Sequence, residues 1–147
     1  MVAAGDKIRA VDIPDLTYPI AHVVATVYEA GNSGNITTPE TVVSSITFNA
    51  VAGATYSLEF AIKTVQSVLA DRFLFGVRED TVAGTTIDVV MHVPPPAVGS
   101  GFMAVYKWPW TAAATGSKTI VGTLVRSSGT GNILRSSKSS YIVTRVS

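Results

Sequence analysis

Four carboxylates stand close enough together in the chain to raise acid–base chemistry: Asp71, Glu79, Asp80 and Asp88. A glycoside hydrolase holds two such groups roughly 5 to 9 Å apart across a cleft. Here they flank strand-like segments and stand beside Arg72 and Arg78, which reads as solvated charge at strand edges. A calcium loop needs oxygen ligands at alternate positions, and Glu79-Asp80-Thr81 is too sparse for one. His22 and His92 both fall inside strand patterns and read as hydrogen-bonded structural side chains. Two histidines with no cysteine leave too few ligands for a zinc centre. Ser136-Ser137-Lys138-Ser139-Ser140 offers Ser and Lys without a glycine-flanked nucleophile elbow, and reads as a hairpin loop. Gly129-Thr130-Gly131 is not a phosphate loop, because no helix follows it. No metal, cofactor or catalytic residue is therefore expected.

One cluster remains: Tyr106, Lys107, Trp108 and Trp110. Aromatic rings beside a cation can stack a sugar or a base. They can equally pack a strand end against the core or a neighbouring subunit, and interfaces are enriched in such rings. Pro109 restricts Trp108 to extended backbone, and residues i and i+2 of an extended segment share a face. The two indoles are thus expected to present one apolar surface at a turn. Thr111, Ala112, Ala113 and Ala114 offer a single polar side chain for fixing hydroxyls, which favours protein contact over ligand contact and leaves both open.

The composition bounds the rest. The 147 residues are 47% hydrophobic and only 14% charged, against about 25% charged in an average globular chain. Low charge is expected where surface is covered by other subunits. All ten acids lie in residues 1–88 beside five Lys and Arg, whereas residues 89–147 carry six Lys and Arg and no acid. That split reads as scatter over interleaved strands, or as a dipolar subunit that pairs with its neighbours. Residues 1–7 have no signal-peptide pattern, and no apolar run reaches the roughly 18 residues of a membrane span. The expectation is a protein made and assembled inside a cell, without membrane or nucleic-acid partners.

The elements that must position these residues are strands. From Tyr56 to Lys63, Tyr56, Leu58, Phe60 and Ile62 alternate with Ser57, Glu59, Ala61 and Lys63, as in a half-buried strand. The preceding run puts Val42, Ile46 and Phe48 on one face, interrupted by Ser44. With the Gly53 break between them, the two runs are predicted to form a hairpin. Further strands are predicted over residues 20–29, 72–78 (Phe73, Phe75 and Val77 inward), 85–93, 102–108, 118–126, 133–135 and 141–146. Pro94-Pro95-Pro96 and Pro109 are expected to stop two of them, and residues 64–70 read as ambiguous. Nine short strands between Gly, Pro, Asn and Ser clusters predict one all-β domain: an antiparallel, jelly-roll-like sandwich over 20–147. Residues 1–19 read as a docking arm in which Ile8, Val11, Ile13 and Leu16 make the contacts.

Three segments carry a resemblance. Ala3-Ala4-Gly5-Asp6-Lys7-Ile8-Arg9-Ala10-Val11-Asp12-Ile13 resembles the start of small virion proteins of tailed bacteriophages that infect actinobacteria. Ile46-Thr47-Phe48-Asn49-Ala50-Val51-Ala52-Gly53-Ala54-Thr55-Tyr56 is similar to a hairpin of the same proteins, and Ser139-Ser140-Tyr141-Ile142-Val143-Thr144-Arg145-Val146 to their final strand. The resemblance implies a β-sandwich structural module of the kind found among head decoration and minor tail proteins. It carries over no catalytic residue, and the long shaft or stem of a tail fibre is missing. The expected role is non-enzymatic: a capsid decoration (cement) protein or small minor tail protein of the virion. Its expected partners are further copies of itself, as a homotrimer or other homo-oligomer, and the major capsid or tail proteins. The alternative is a carbohydrate-binding module for host recognition, with Tyr106, Trp108 and Trp110 stacking a host glycan.

Overall fold

The computed structural model describes residues 21–92 and 97–147. The predicted arm, with Ile8, Val11, Ile13 and Leu16, and the triple-proline stop lie outside them. In chain order the strands are β1 (His22–Tyr28), β2 (Thr41–Ala50), β3 (Thr55–Gln66), β4 (Arg72–Glu79), β5 (Thr86–His92), β6 (Gly101–Thr111), β7 (Gly116–Ser128), β8 (Ile133–Arg135) and β9 (Ser140–Arg145). They pair antiparallel in two sheets, β1-β9-β3-β6 with β8 also on β3, and β2-β7-β4-β5. Consecutive strands cross from sheet to sheet again and again, which is the jelly-roll order.

The core lies between the sheets. β3 buries Tyr56, Leu58, Phe60 and Ile62, and β4 buries Phe73, Phe75 and Val77, as the alternation predicts. Ile46 and Phe48 of β2, Ile120 and Leu124 of β7, and Tyr141 and Val143 of β9 complete the layer. Each such side chain contributes roughly 1.5–3 kcal/mol.

Four local expectations are corrected. β2 and β3 are not a hairpin. They face each other across the core, β2 pairing with β7 and β3 with β6, β8 and β9. Period-2 alternation is the same for strands lying side by side and strands facing across a core, so the pattern did not distinguish them. The link is an arch fastened to its neighbour: Gly53, at φ +77°, donates to Ala112 O, and Ala52 N donates to Thr115 Oγ1. Val42 points outward, because a bulge between Val42 and Ser44 shifts the register and buries Val43 instead.

Pro109 does not end β6. It pairs in register with Ser57, and β6 continues to Thr111. Among the described strands β6 lies at the edge of its sheet, where a missing N–H is tolerated. The 136–139 loop is not a hairpin turn either. β8 and β9 both lie along β3, at residues 64–66 and 56–61, so the loop is a jog between two stretches of one edge. Ser139 fills that jog: its Oγ accepts the Lys63 N–H at 3.0 Å.

Candidate functional site

Every second residue of one stretch of β6 turns a polar-tipped ring into the space between the sheets: Tyr106, Trp108 and Trp110. Among the described strands both sheets end on this side, one at β6 and the other at β5. Each ring meets a polar partner on the opposite sheet. The Tyr106 hydroxyl shares a 2.7 Å hydrogen bond with His92 Nδ1. The Trp108 indole N–H donates to Asp88, and the Trp110 indole N–H donates to Glu79 Oε1 at 2.9 Å. The rings also stack along the seam. Tyr106 lies 5.0 Å from Phe75 at 18° and 5.6 Å from Trp108 at 17°, while Trp110 meets Phe48 edge-on at 5.9 Å.

This seam laces the open side of the sandwich. Trp110 is 7% exposed, so it presents no ring face to a ligand. The expected apolar surface at a Trp108-Pro109-Trp110 turn is corrected: the segment is strand, and its indoles face the interior beside Tyr106. The residues are brought together as the sequence placed them, but pointing inward.

The flagged acids are also reassigned. Asp88 accepts the Trp108 N–H and, through Oδ1, the Val89 N–H at 2.8 Å. Glu79 accepts from Trp110. Asp71 is buried and accepts the backbone N–H groups of Thr130 and Gly131, which clasps the loop after β7. There Gly129 holds φ +99°, and a β-carbon at that position would collide with the Asp71 carboxylate. None of these three is the solvated edge charge expected from the sequence; Asp80 alone of the four is exposed.

His92 is satisfied structurally, as predicted. It is 2% exposed, and its Nε2 shares a 2.7 Å hydrogen bond with Thr64 Oγ1. With Tyr106 on Nδ1, a neutral ring donates at one nitrogen and accepts at the other. Burial lowers its pKa from 6.5 to about 4, which keeps it neutral. At this end of the seam, Leu69, Ala70, Asp71, Arg72, Met91 and His92 line a cleft of about 320 Å³. Asp71 and His92 already spend their polar atoms on the fold, while Arg72 is an exposed cation on the cleft wall.

One constellation was missed in the sequence. Glu40 lies on the outer face of the β2 sheet and accepts two bonds from one edge of the Arg78 guanidinium, from Nε and Nη2, each at 2.9 Å. Thr123 donates its hydroxyl to the same carboxylate. The Arg78 bond holds the Glu40 carboxyl below the usual carboxylate range. Room for it comes from Gly76, where a β-carbon would stand 3.2 Å from Glu40 Oε1. The available signal was paired: Thr123 and Gly76 interrupt two apolar strands at positions that turn out to be partners in register. Among the described residues no three His, Asp or Glu side chains gather as a metal site, and no helix is long and apolar enough to cross a membrane.

No protein-family model matches the chain, and no curated protein does. Solved structures do. A crystal structure of the infectious bursal disease virus VP2 subviral particle aligns over 97% of this chain and 38% of its own, with a TM-score of 0.57 and 13% identity. T=1 particles derived from the same virus align over 96% and 36%, with a TM-score of 0.56 and 14% identity. A family 35 carbohydrate-binding module from an environmental isolate aligns over 86% and 93%, at TM-score 0.41 and 18% identity. The chain thus spans little more than a third of the viral proteins it matches. At these identities the likeness to them is one of fold: the all-β jelly roll.

Proposed function

We propose that this chain is a non-enzymatic structural protein of a virus particle, in the finer reading a decoration or minor tail protein of a tailed bacteriophage infecting actinobacteria. The observation that carries the proposal is the jelly roll itself, which runs through the described residues and aligns almost whole to the VP2 fold. The three sequence segments that resemble phage virion proteins support it. So does the use of Asp71, Glu79, Asp88 and His92 as internal hydrogen-bonded fastenings.

In this proposal residues 1–19 are the attachment arm, with Ile8, Val11, Ile13 and Leu16 as its contacts, and residues 20–147 are the body. The protein associates with itself and with major capsid or tail proteins. Decoration is favoured over the tail because the described residues form one compact body that suits a surface site. Sugar recognition by Tyr106, Trp108 and Trp110 finds no support in rings laced into the sandwich. The test is to image particles carrying a label at Ser147, and to assay incorporation of a protein lacking residues 1–19. Label on the particle, with loss of incorporation in a folded truncated protein, is expected. A labelled protein absent from purified particles refutes the virion assignment; normal incorporation of the truncation refutes the arm.

A further inference from the structure

The outer face of the β1 sheet is built for contact rather than for water. Registers line up its outward residues in rows across four strands. One row is Thr26, Ile142, Glu59 and Lys107; the next is Tyr28, Ser140, Ala61 and Val105. Inward neighbours such as Phe60 and Tyr141 fix which side these residues face. The wet face of an antiparallel sheet normally reads polar. Here Tyr28 is 76% exposed and Val105 61%, with Val23 and Met103 also exposed on the same face. Between them stand small side chains, Ser57, Ala61, Ser140 and Thr144, which leave the surface flat.

The charge on this face is sparse: Glu59 and Lys63 on β3 and Lys107 on β6. Glu59 and Lys107 sit side by side on β3 and β6, 3.8 Å apart and well exposed, where an ion pair within one chain is worth little. A twofold axis lying in the plane of contact, parallel to the strands and midway between β3 and β6, would carry β3 of one copy over β6 of the other. Glu59 would then face the partner's Lys107, and Lys107 the partner's Glu59, with Ala61 over the partner's Val105. An isologous interface requires this self-complementarity, and flat sheets pack face to face at about 10 Å.

We infer that the outer face of the β1 sheet is the surface through which two copies of this chain associate, sheet against sheet. The inference rests on the self-association in the function proposed above and names its surface. About that axis β3 and β6 overlap while β9 and β1 extend past the partner's edge, so two strands at ~4.8 Å and six residues at ~3.4 Å give a footprint of about 200 Å², about a quarter of the ~800 Å² that each partner of a standard stable interface contributes. The contact is therefore weak in dilute solution and populated where copies are held close.

Charge reversal on mixing tests it. Glu59→Lys leaves the face without an acid, and Lys107→Glu sets two carboxylates side by side on β3 and β6, with Lys63 four residues along β3. Sedimentation of the full chain is measured over a concentration range, with circular dichroism confirming that each variant folds. Each single variant is expected to associate about tenfold or more weakly than wild type, while an equimolar mixture recovers association. A mixture that stays monomeric while wild type associates overturns the inference. So do single variants that associate as wild type does, and in both cases self-association through another surface still stands. Wild type that remains monomeric at every concentration removes self-association itself. A second measurement uses the absence of native cysteine. Ala61→Cys protein mixed with Val105→Cys protein should be joined by a thiol reagent spanning about 10 Å, the sheet-packing distance. Failure to join them where wild type associates also overturns the face.

Discussion

Acidification should loosen the seam through His92 before it reaches the carboxylates. The folded imidazole is held at about 4, against 6.5 when free, so between those values the unfolded chain binds more protons than the folded one. Stability is then complete above pH 6.5 and falls as the pH drops towards 4. The size follows from the difference: about 2 kcal/mol lost by pH 5 and about 3 kcal/mol by pH 4. Protonation also rearranges the site, since imidazolium donates at both nitrogens and one of Thr64 and Tyr106 must reverse its hydroxyl to accept. The assay is urea unfolding at pH 7, 6 and 5 for wild type and for His92→Gln, which cannot titrate. His92→Gln should be less stable at pH 7 by about 1–3 kcal/mol, but its stability should change less with pH than that of wild type, by about 2 kcal/mol. Parallel pH profiles for the two proteins, or a directly measured His92 value near 6.5, would refute the reasoning.

Other variants probe the remaining fastenings. Trp110→Ala should cost about 3–5 kcal/mol in thermal or urea unfolding, from the lost ring packing and the orphaned Glu79, and unchanged stability would place Trp110 outside the core. Gly122→Ala should destabilise by about 1–3 kcal/mol, because the new β-carbon meets Ser44 Oγ and comes within 2.9 Å of Phe75. Asp71→Ala should cost about 1–3 kcal/mol and speed amide exchange at Thr130 and Gly131; exchange at the wild-type rate would contradict the clasp. Glu40 should add an acid-side loss: its carboxyl is held low by Arg78, so its contribution is present above the usual carboxylate range and lost as pH falls below it. Glu40→Gln should remove that loss from the stability profile below about pH 4.5.

The strands were legible because buried faces leave a period of two. Tyr56, Leu58, Phe60 and Ile62 fixed β3, and Phe73, Phe75 and Val77 fixed β4, without reference to any neighbour. Pairing was less legible, since alternation reports which side of a strand is dry but not which strand lies beside it. That is why β2 and β3 resembled a hairpin when they form an arch, and why one bulge was enough to exchange Val42 for Val43. The aromatic cluster was found by composition, and its direction was missed because Pro109 reads locally as a stop. Only its place on an edge strand lets β6 run through it. Asp71 and Glu40 were out of reach for a different reason: their partners, Gly131 and Thr123, lie 60 and 83 residues away in the chain.

The position of β9 sets a schedule for synthesis. β9 is inserted between β1 and β3, and among the described strands it is the one that β1 pairs with. β1 is complete at residue 28, yet the strand that receives it starts at residue 140. At roughly 5–20 residues per second, a ribosome needs roughly 6–20 s to make the intervening chain. During that interval β1 and one flank of β3 wait with open backbone groups, exposed to the same flanks on neighbouring nascent chains. Chains cut short before residue 140 never leave that condition. Premature termination or clipping near the end of this sequence should therefore yield sticky, aggregating fragments rather than a slightly shortened sandwich, and translation speed over residues 29–139 should govern the soluble yield.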